Sequence, residues 1–290
     1  MKLKPYAALL GALLSFGALA ATPRDTLVVA KNIEDIVALD PAQAFEFSSG
    51  EVVSNVYEPL GQYDARDPSK LLPGVASSWK TGADGKSIEF TLRPNGVFAS
   101  GNPIRAEDVL FSFRRVIKLN KAPAFILAQL GWTNDNIAQM VTKLPNGNVS
   151  VAWTGNFGPG YVLNVLAARP GNIVDEKLVM ANEQAGDLGN GWLNRNSAGS
   201  GPFTLKMFRP KEVLVLEANK RATEAPKLNS VLFRNVTEPA TQRLLIEQGD
   251  ADIARVAPKM QRLLPQSLVE TLVDAIELGA LSHAFDLRMA

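Results

Sequence analysis

The chain has 290 residues, 46% hydrophobic and 20% charged, with a formal net charge of +1. That length implies about two domains, and near-neutrality gives no electrostatic case for nucleic acid or an anionic membrane surface as a partner. There is no cysteine and one histidine, His283. Disulfides and the common His/Cys zinc sites are therefore excluded, and a histidine-dependent nucleophile would rest on that residue alone.

The first 21 residues read as a secretory signal peptide. Lys2 and Lys4 give a positive start, Ala7 to Leu19 is apolar, and Ala18-Leu19-Ala20 has the small-x-small form of a cleavage site. The apolar run is short for a membrane span. Removal of Lys2 and Lys4 takes the charge from +1 to −1. Without a cysteine to acylate, the exported product is expected free in the periplasm rather than as a lipoprotein.

Leu27 to Ala30 is an apolar run suited to a buried strand. A loop through Asp40-Pro41 leads to Phe45-Glu46-Phe47-Ser48-Ser49, where Ser48 or Ser49 is placed to cap a helix carrying Val52, Val53, Val56 and Tyr57. Pro59 ends it. Asp84-Gly85 predicts a tight turn, and Ser87 to Arg93 alternates strictly, with Ile88, Phe90 and Leu92 facing a core. Ala106 to Ile117 has helical spacing, with Glu107 and Asp108 at the positive end of the dipole. Asn146-Gly147 marks a second hairpin, feeding Val149 to Trp153, and Tyr161 to Ala168 is read as a helix. Residues 189–202 read as loop. Strands are expected at Phe203–Phe208, Val213–Ala218 and Val231–Val236, a helix at Glu238–Gln248 stopped by Gly249, and a last strand from Asp252. This mixture indicates α/β or α+β layers, not a helical bundle.

No motif for catalysis or metal binding stands out. Asp250 and Asp252 lack the setting of a calcium loop and read as turn and strand residues. Gly199-Ser200-Gly201-Pro202 lacks both the spacing and the lysine of a phosphate loop. The 29 acidic residues would allow a carboxylate-pair hydrolase, but nothing singles out a pair. No catalytic residue, metal site or cofactor is expected.

The order of several features is more specific than any one of them. Pro73-Gly74-Val75-Ala76-Ser77-Ser78-Trp79 is followed by Asp84-Gly85, Phe90 to Arg93, Phe98, Gly101, Pro103 and Ala106 to Ser112. Later come Gly199 to Phe203 and Pro239, Thr241, Arg243, Gly249, Asp250 and Asp252. Over about residues 25–255 this resembles the family 5 extracellular solute-binding proteins, the dipeptide and oligopeptide receptors of ABC importers. Arg105 departs from the family's usual threonine, so the hydroxyl cap before Ala106 is missing. The resemblance ends near Ala254. Beyond it Val269, Leu272, Val273 and Ile276 form an amphipathic stripe, read as the tail of a truncated or frameshifted frame against the plainer alternative of a divergent helix.

The resemblance implies an α/β, type II periplasmic-binding-protein fold with mixed sheets and the second large lobe missing. Domain I is expected over 22–60 and 186–256, an inserted domain II over 61–185, and an atypical tail over 257–290. It implies capture of peptides or similar small solutes for ABC permease subunits, by a monomer that is not an enzyme. Glu46, Phe47, Ser48, Ser49, Asn196 and Ser197 are the expected ligand-side residues. A non-binding remnant of such a receptor is the alternative, and a secreted hydrolase the next.

Overall fold

The computed structural model describes residues 25–254. The leader over 1–21, His283 and the stripe from Val269 to Ile276 lie outside the described residues. Two sheets organise the rest. The first has five strands, in the order β11 (Ile253–Ala254), β1 (Thr26–Lys31), β10 (Ser230–Asn235), β9 (Val213–Ala218) and β8 (Phe203–Arg209). β1 runs parallel to β10 and β11, while β10, β9 and β8 are antiparallel in turn. The sheet is mixed.

The position of β1 explains its unbroken apolar run. Leu27 and Val29 enter one core with Val52, Val53 and Val56 of helix α1 (Phe47–Val56). Val28 and Ala30, on the opposite face, pack with Leu245 and Ile246 of helix α8 (Pro239–Gln248). A strand covered on both faces has no water side on which to place polar residues. Asp252 seals the edge of β1, its carboxylate accepting from the Val28 N–H at 2.7 Å.

The second sheet is antiparallel, in the order β4 (Ala76–Thr81), β5 (Ser87–Leu92), β7 (Val149–Ala152) and β6 (Val141–Lys143). A separate pair, β2 (Gly61–Tyr63) and β3 (Leu71–Pro73), precedes it. Ile88, Phe90, Val149 and Val151 are fully buried against Val109, Phe113 and Val116 of helix α2 (Ala106–Leu119). This is the half-buried alternation that the sequence predicts. Short helices α3 (Ala124–Ala128), α4 (Ile137–Met140), α5 (Pro159–Leu166), α6 (Glu176–Ala181) and α7 (Asn190–Leu193) fill the connections.

Two local expectations are corrected. α1 begins at Phe47 with Glu46 at its N-cap, so neither serine caps it. Asp35, from the preceding loop, accepts the Ser48 N–H at 3.0 Å and leaves no need for a serine hydroxyl there. Residues 189–202 are not all loop, because Asn190 to Leu193 form a helical turn after Gly189 adopts φ 72°. At α2 the missing hydroxyl is offset by Asp108, whose carboxylate accepts the Arg105 N–H at 2.8 Å. The Gly199-Gly201 pair answers to close approach: a Cβ on Gly199 would lie 2.0 Å from the Val56 carbonyl oxygen.

On the open side of the second sheet, Glu89 accepts from the side-chain amides of Asn148 (2.6 Å) and Asn146 (3.0 Å) and pairs with Lys80 at 3.0 Å. These donors hold its carboxyl down to about 2. A depressed carboxyl stabilises the fold above the ordinary carboxylate range and loses that contribution as pH falls toward 2. The carboxyl resonance of Glu89 followed by NMR is therefore expected to titrate near 2, and Glu89→Gln to flatten the acid limb of the stability–pH curve. A midpoint in the ordinary glutamate range would remove this account of the hairpin.

Candidate functional site

The segment joining β1 to α1 is fixed from beneath by a buried ion pair. Asp40 is fully buried and Arg115 of α2 is 2% exposed. Nη1 and Nη2 of Arg115 donate to the two carboxylate oxygens of Asp40, the first at 2.7 Å, and Nε donates to the Leu188 carbonyl at 2.7 Å. Asp40 also accepts from the Ala42 N–H at 2.9 Å and from the Asn190 amide at 2.6 Å. Each Asp40 oxygen thus accepts twice and each guanidinium nitrogen donates once, the kind of satisfied geometry in which a buried ion pair is tolerated.

From that anchor the chain rises through Phe45, Glu46 and Phe47. Arg169, in a short 3₁₀ turn at Arg169–Gly171, donates through Nη1 to the carbonyls of Phe45 (3.1 Å) and Glu46 (3.0 Å). Its guanidinium occupies the place where a side chain on Gly50 would begin, 2.5 Å from an ideal Cβ. The Glu46 carboxylate turns back to accept from the Phe45 N–H and the Ser49 hydroxyl, each at 3.2 Å.

The apolar side chains here face outward. Phe47 is 83% exposed, Val37 68% and Phe45 48%. Phe45 meets Phe125 of α3 edge-to-face with ring centroids 6.0 Å apart, and Phe125 is itself 60% exposed. The contact links the segment ahead of α1, rooted on the five-stranded sheet, to a helix packed under α2. Large exposed aromatics around one segment mark an interaction surface more often than isolated surface hydrophobics do.

The expected site residues fall into two groups along α1. At its start Phe47 faces solvent and Glu46 is half-buried, its carboxylate turned back on the turn. Ser48 and Ser49 are buried beside them, engaged through the Ser48 N–H and the Ser49 hydroxyl. Asn196 and Ser197 border a small indentation with Leu39, Val52, Val56, Tyr57 and Leu205, toward the other end of the helix. The Asn196 amide donates to the Trp192 carbonyl at 2.9 Å, and the Ser197 hydroxyl accepts the Leu205 N–H at 3.1 Å. Nearby, burial and the Asp40 carboxylate push the Tyr57 hydroxyl far up, so it stays protonated. Phe45, Val37, Phe125 and Arg169 were not singled out from the sequence. Phe45 alone had a local signal, as the partner of Phe47 in Phe45-Glu46-Phe47; Arg169 lies more than a hundred residues from the carbonyls it holds. Among the described residues no cluster of three or more His, Cys, Asp or Glu is placed to hold a metal ion.

Comparison with known proteins agrees with this architecture. Residues 70–271 match the model of bacterial extracellular solute-binding proteins, family 5 middle. That match passes Ala254, the last residue of the resemblance read from the sequence, so residues 255–271 belong to the family pattern after all. This stretch has neither Gly nor Asp, the turn-forming residues that recur through the quoted motif. The probable D,D-dipeptide-binding periplasmic protein DdpA of Escherichia coli (strain K12) is 34% identical over 244 residues, 82% of this chain and 45% of that protein. The periplasmic murein peptide-binding protein MppA of the same organism is 27% identical over 96% of this chain and 54% of its own length.

Among solved structures, the Escherichia coli murein tripeptide binding protein MppA superposes with a TM-score of 0.69 at 25% identity, covering 82% of this chain and 47% of that one. Haemophilus influenzae OppA in complex with RPPGFSPFR gives 0.71 at 23% identity, over 86% and 50%. The chain spans about half the length of the relatives it matches. The fold is that of these binding proteins, with mixed α/β sheets.

The ion pair gives a measurable consequence. Arg115→Met leaves the Asp40 carboxylate buried without its cation and is expected to cost about 3–5 kcal/mol in urea unfolding. Asp40→Asn with Arg115→Met together should cost less than the two single changes combined. Strict additivity would mean the pair is not coupled as drawn.

Proposed function

Because the chain belongs to the bacterial extracellular solute-binding proteins of family 5, we propose that it is the solute-capturing component of an ABC importer. It takes up peptides or similar small solutes in the periplasm and presents them to membrane permease subunits, as a monomer released after cleavage of the leader over residues 1–21. The named relatives are binding proteins for a D,D-dipeptide and a murein peptide, which supports a peptide over other solutes.

The observation that carries this reading is the surface at the start of α1. Phe47 and Phe45 are held outward by a backbone clamped from below by Arg169, beside Phe125 from the other sheet's helices. A rigid, preorganised apolar surface loses little entropy when a ligand settles on it. Glu46, half-buried beside them, supplies the negative charge for a ligand's amino group. Ser48 and Ser49 support the turn from beneath, while Asn196 and Ser197 stabilise the other end of α1. We take residues 22–60 and 186–256 as one lobe and 61–185 as the inserted one, with α2 joining them.

Ligand binding to the folded state raises its stability by mass action. The melting temperature of the purified chain is expected to rise with a mixture of di- and tripeptides, and calorimetry to return a saturable isotherm. Phe47→Ala should weaken that binding about tenfold, in line with the loss of one buried aromatic contact. A panel of chromogenic ester, peptide and glycoside substrates should show no turnover. Flat melting curves across the mixture would favour a chain that no longer binds, and turnover would favour a hydrolase.

A further inference from the structure

A cleft lies away from the start of α1, along one side of α2. Glu107, Leu110, Arg114 and Lys118 follow one another at helical spacing along α2 and wall a cleft of about 330 Å³. Such a volume lies in the range of about 300–1,000 Å³ typical of small-molecule sites. Phe111 and Leu188 add apolar lining, and Glu176, at the start of α6, stands at the Glu107 end.

The charges in this cleft are sorted by sign and only partly neutralised. Glu107 is paired with Lys143 at 2.7 Å, and Arg115 with Asp40. Arg114, Lys118 and Glu176 have no ion-pair or side-chain hydrogen-bond partner among the described residues, and the Nε of Arg114 is buried without an acceptor. A buried donor left unmet costs about 1–3 kcal/mol. Burial, followed by the nearby Asp108 carboxylate, pushes the Glu176 carboxyl up, against a smaller opposing pull from Arg105 and Arg114.

Leu188 adds an independent sign. Its φ is 52°, in the left-handed region that a bulky residue rarely adopts. The Arg115 Nε holds its carbonyl at 2.7 Å and so keeps it there, with its side chain on the cleft. Backbone strain of this kind is concentrated at sites of function.

We propose that this cleft is a second binding site, for a small zwitterion of the amino-acid kind with an apolar side chain. The carboxylate sits on Arg114 and Lys118, the ammonium group faces Glu176, and the side chain lies against Leu110, Phe111 and Leu188. Seven residues of helix separate Glu107 from Arg114, about 10 Å at about 1.5 Å per residue. Two residues of extended chain reach about 7 Å, and the inward-reaching side chains take up the remainder. A dipeptide matches this span better than a single amino acid does. The site is separate from the surface at Phe47, so it stands or falls independently of the importer reading.

NMR titration of the isotope-labelled chain with Leu-Leu, leucine, N-acetyl-Leu-Leu and Leu-Leu amide tests it. Leu-Leu is expected to shift the signals of Leu110, Phe111 and Leu188 saturably. Acetylation or amidation should weaken that response about tenfold, as should Arg114→Gln, consistent with the loss of one charged hydrogen bond. Lys118→Gln, at an exposed position, repeats the test where folding is not at risk. Peptide-dependent shifts around Phe47 should survive both changes. A stronger response to leucine than to Leu-Leu would still support the zwitterion site and fix the free amino acid as its source. No saturable shift at Leu110, Phe111 and Leu188 with either probe, or shifts indifferent to both substitutions and to end-blocking, would overturn it.

Discussion

The buried pair of Asp40 and Arg115 is the constraint on which the rest of this structure depends. Asp40 belongs to the segment leaving the five-stranded sheet, and Arg115 to the helix that covers the four-stranded one. Two charges removed from water are costly unless each is paired and hydrogen-bonded. Here the Leu188 carbonyl, the Ala42 N–H and the Asn190 amide complete the set. The pair therefore fixes three chain segments at once: the approach to α1, the middle of α2 and the entry to α7. An apolar contact of equal size would hold them together but would not set their orientation so narrowly.

α2 carries this coupling because its faces are divided. Val109, Phe113 and Val116 enter the core of the four-stranded sheet, while Phe111 packs against the core of the five-stranded one. Asp108 adds a further tie, accepting the N–H of Arg105 at its own helix start and of Glu176 at the start of α6. Asp175 accepts from Ser100 and Asn102 across the same junction. Side-chain carboxylates meeting backbone and side-chain donors, together with apolar packing, thus join the two sheets.

The proposed function rests on where that rigidity leaves apolar surface uncovered. Phe45 and Phe47 could not remain outward on a loose loop without collapsing onto the nearest core. The Arg169 guanidinium beneath the carbonyls of Phe45 and Glu46, and the absence of a side chain at Gly50 that makes room for it, hold the segment in place. The proposed capture of a solute would use this combination: an apolar surface on a backbone that does not have to be reorganised to receive a ligand.

Local sequence settled the elements whose cause is local. The alternation from Ser87 to Leu92, the apolar run of β1, the amphipathic face of α2 and the stop of α8 at Gly249, with φ 75°, all come from periodicity or from one residue's conformational freedom. The order of motif residues carried the family. Glu46 and Phe47 were picked out through that resemblance, as part of the loop after β1. Only tertiary structure decided that Ser48 and Ser49 face inward, that Asp35 rather than a serine serves the start of α1, and that Arg169 and Phe125 belong beside Phe45. Those contacts join residues tens to more than a hundred positions apart. A side chain's direction there is set by the carboxylate, guanidinium or ring it meets, and no short window of sequence contains that partner.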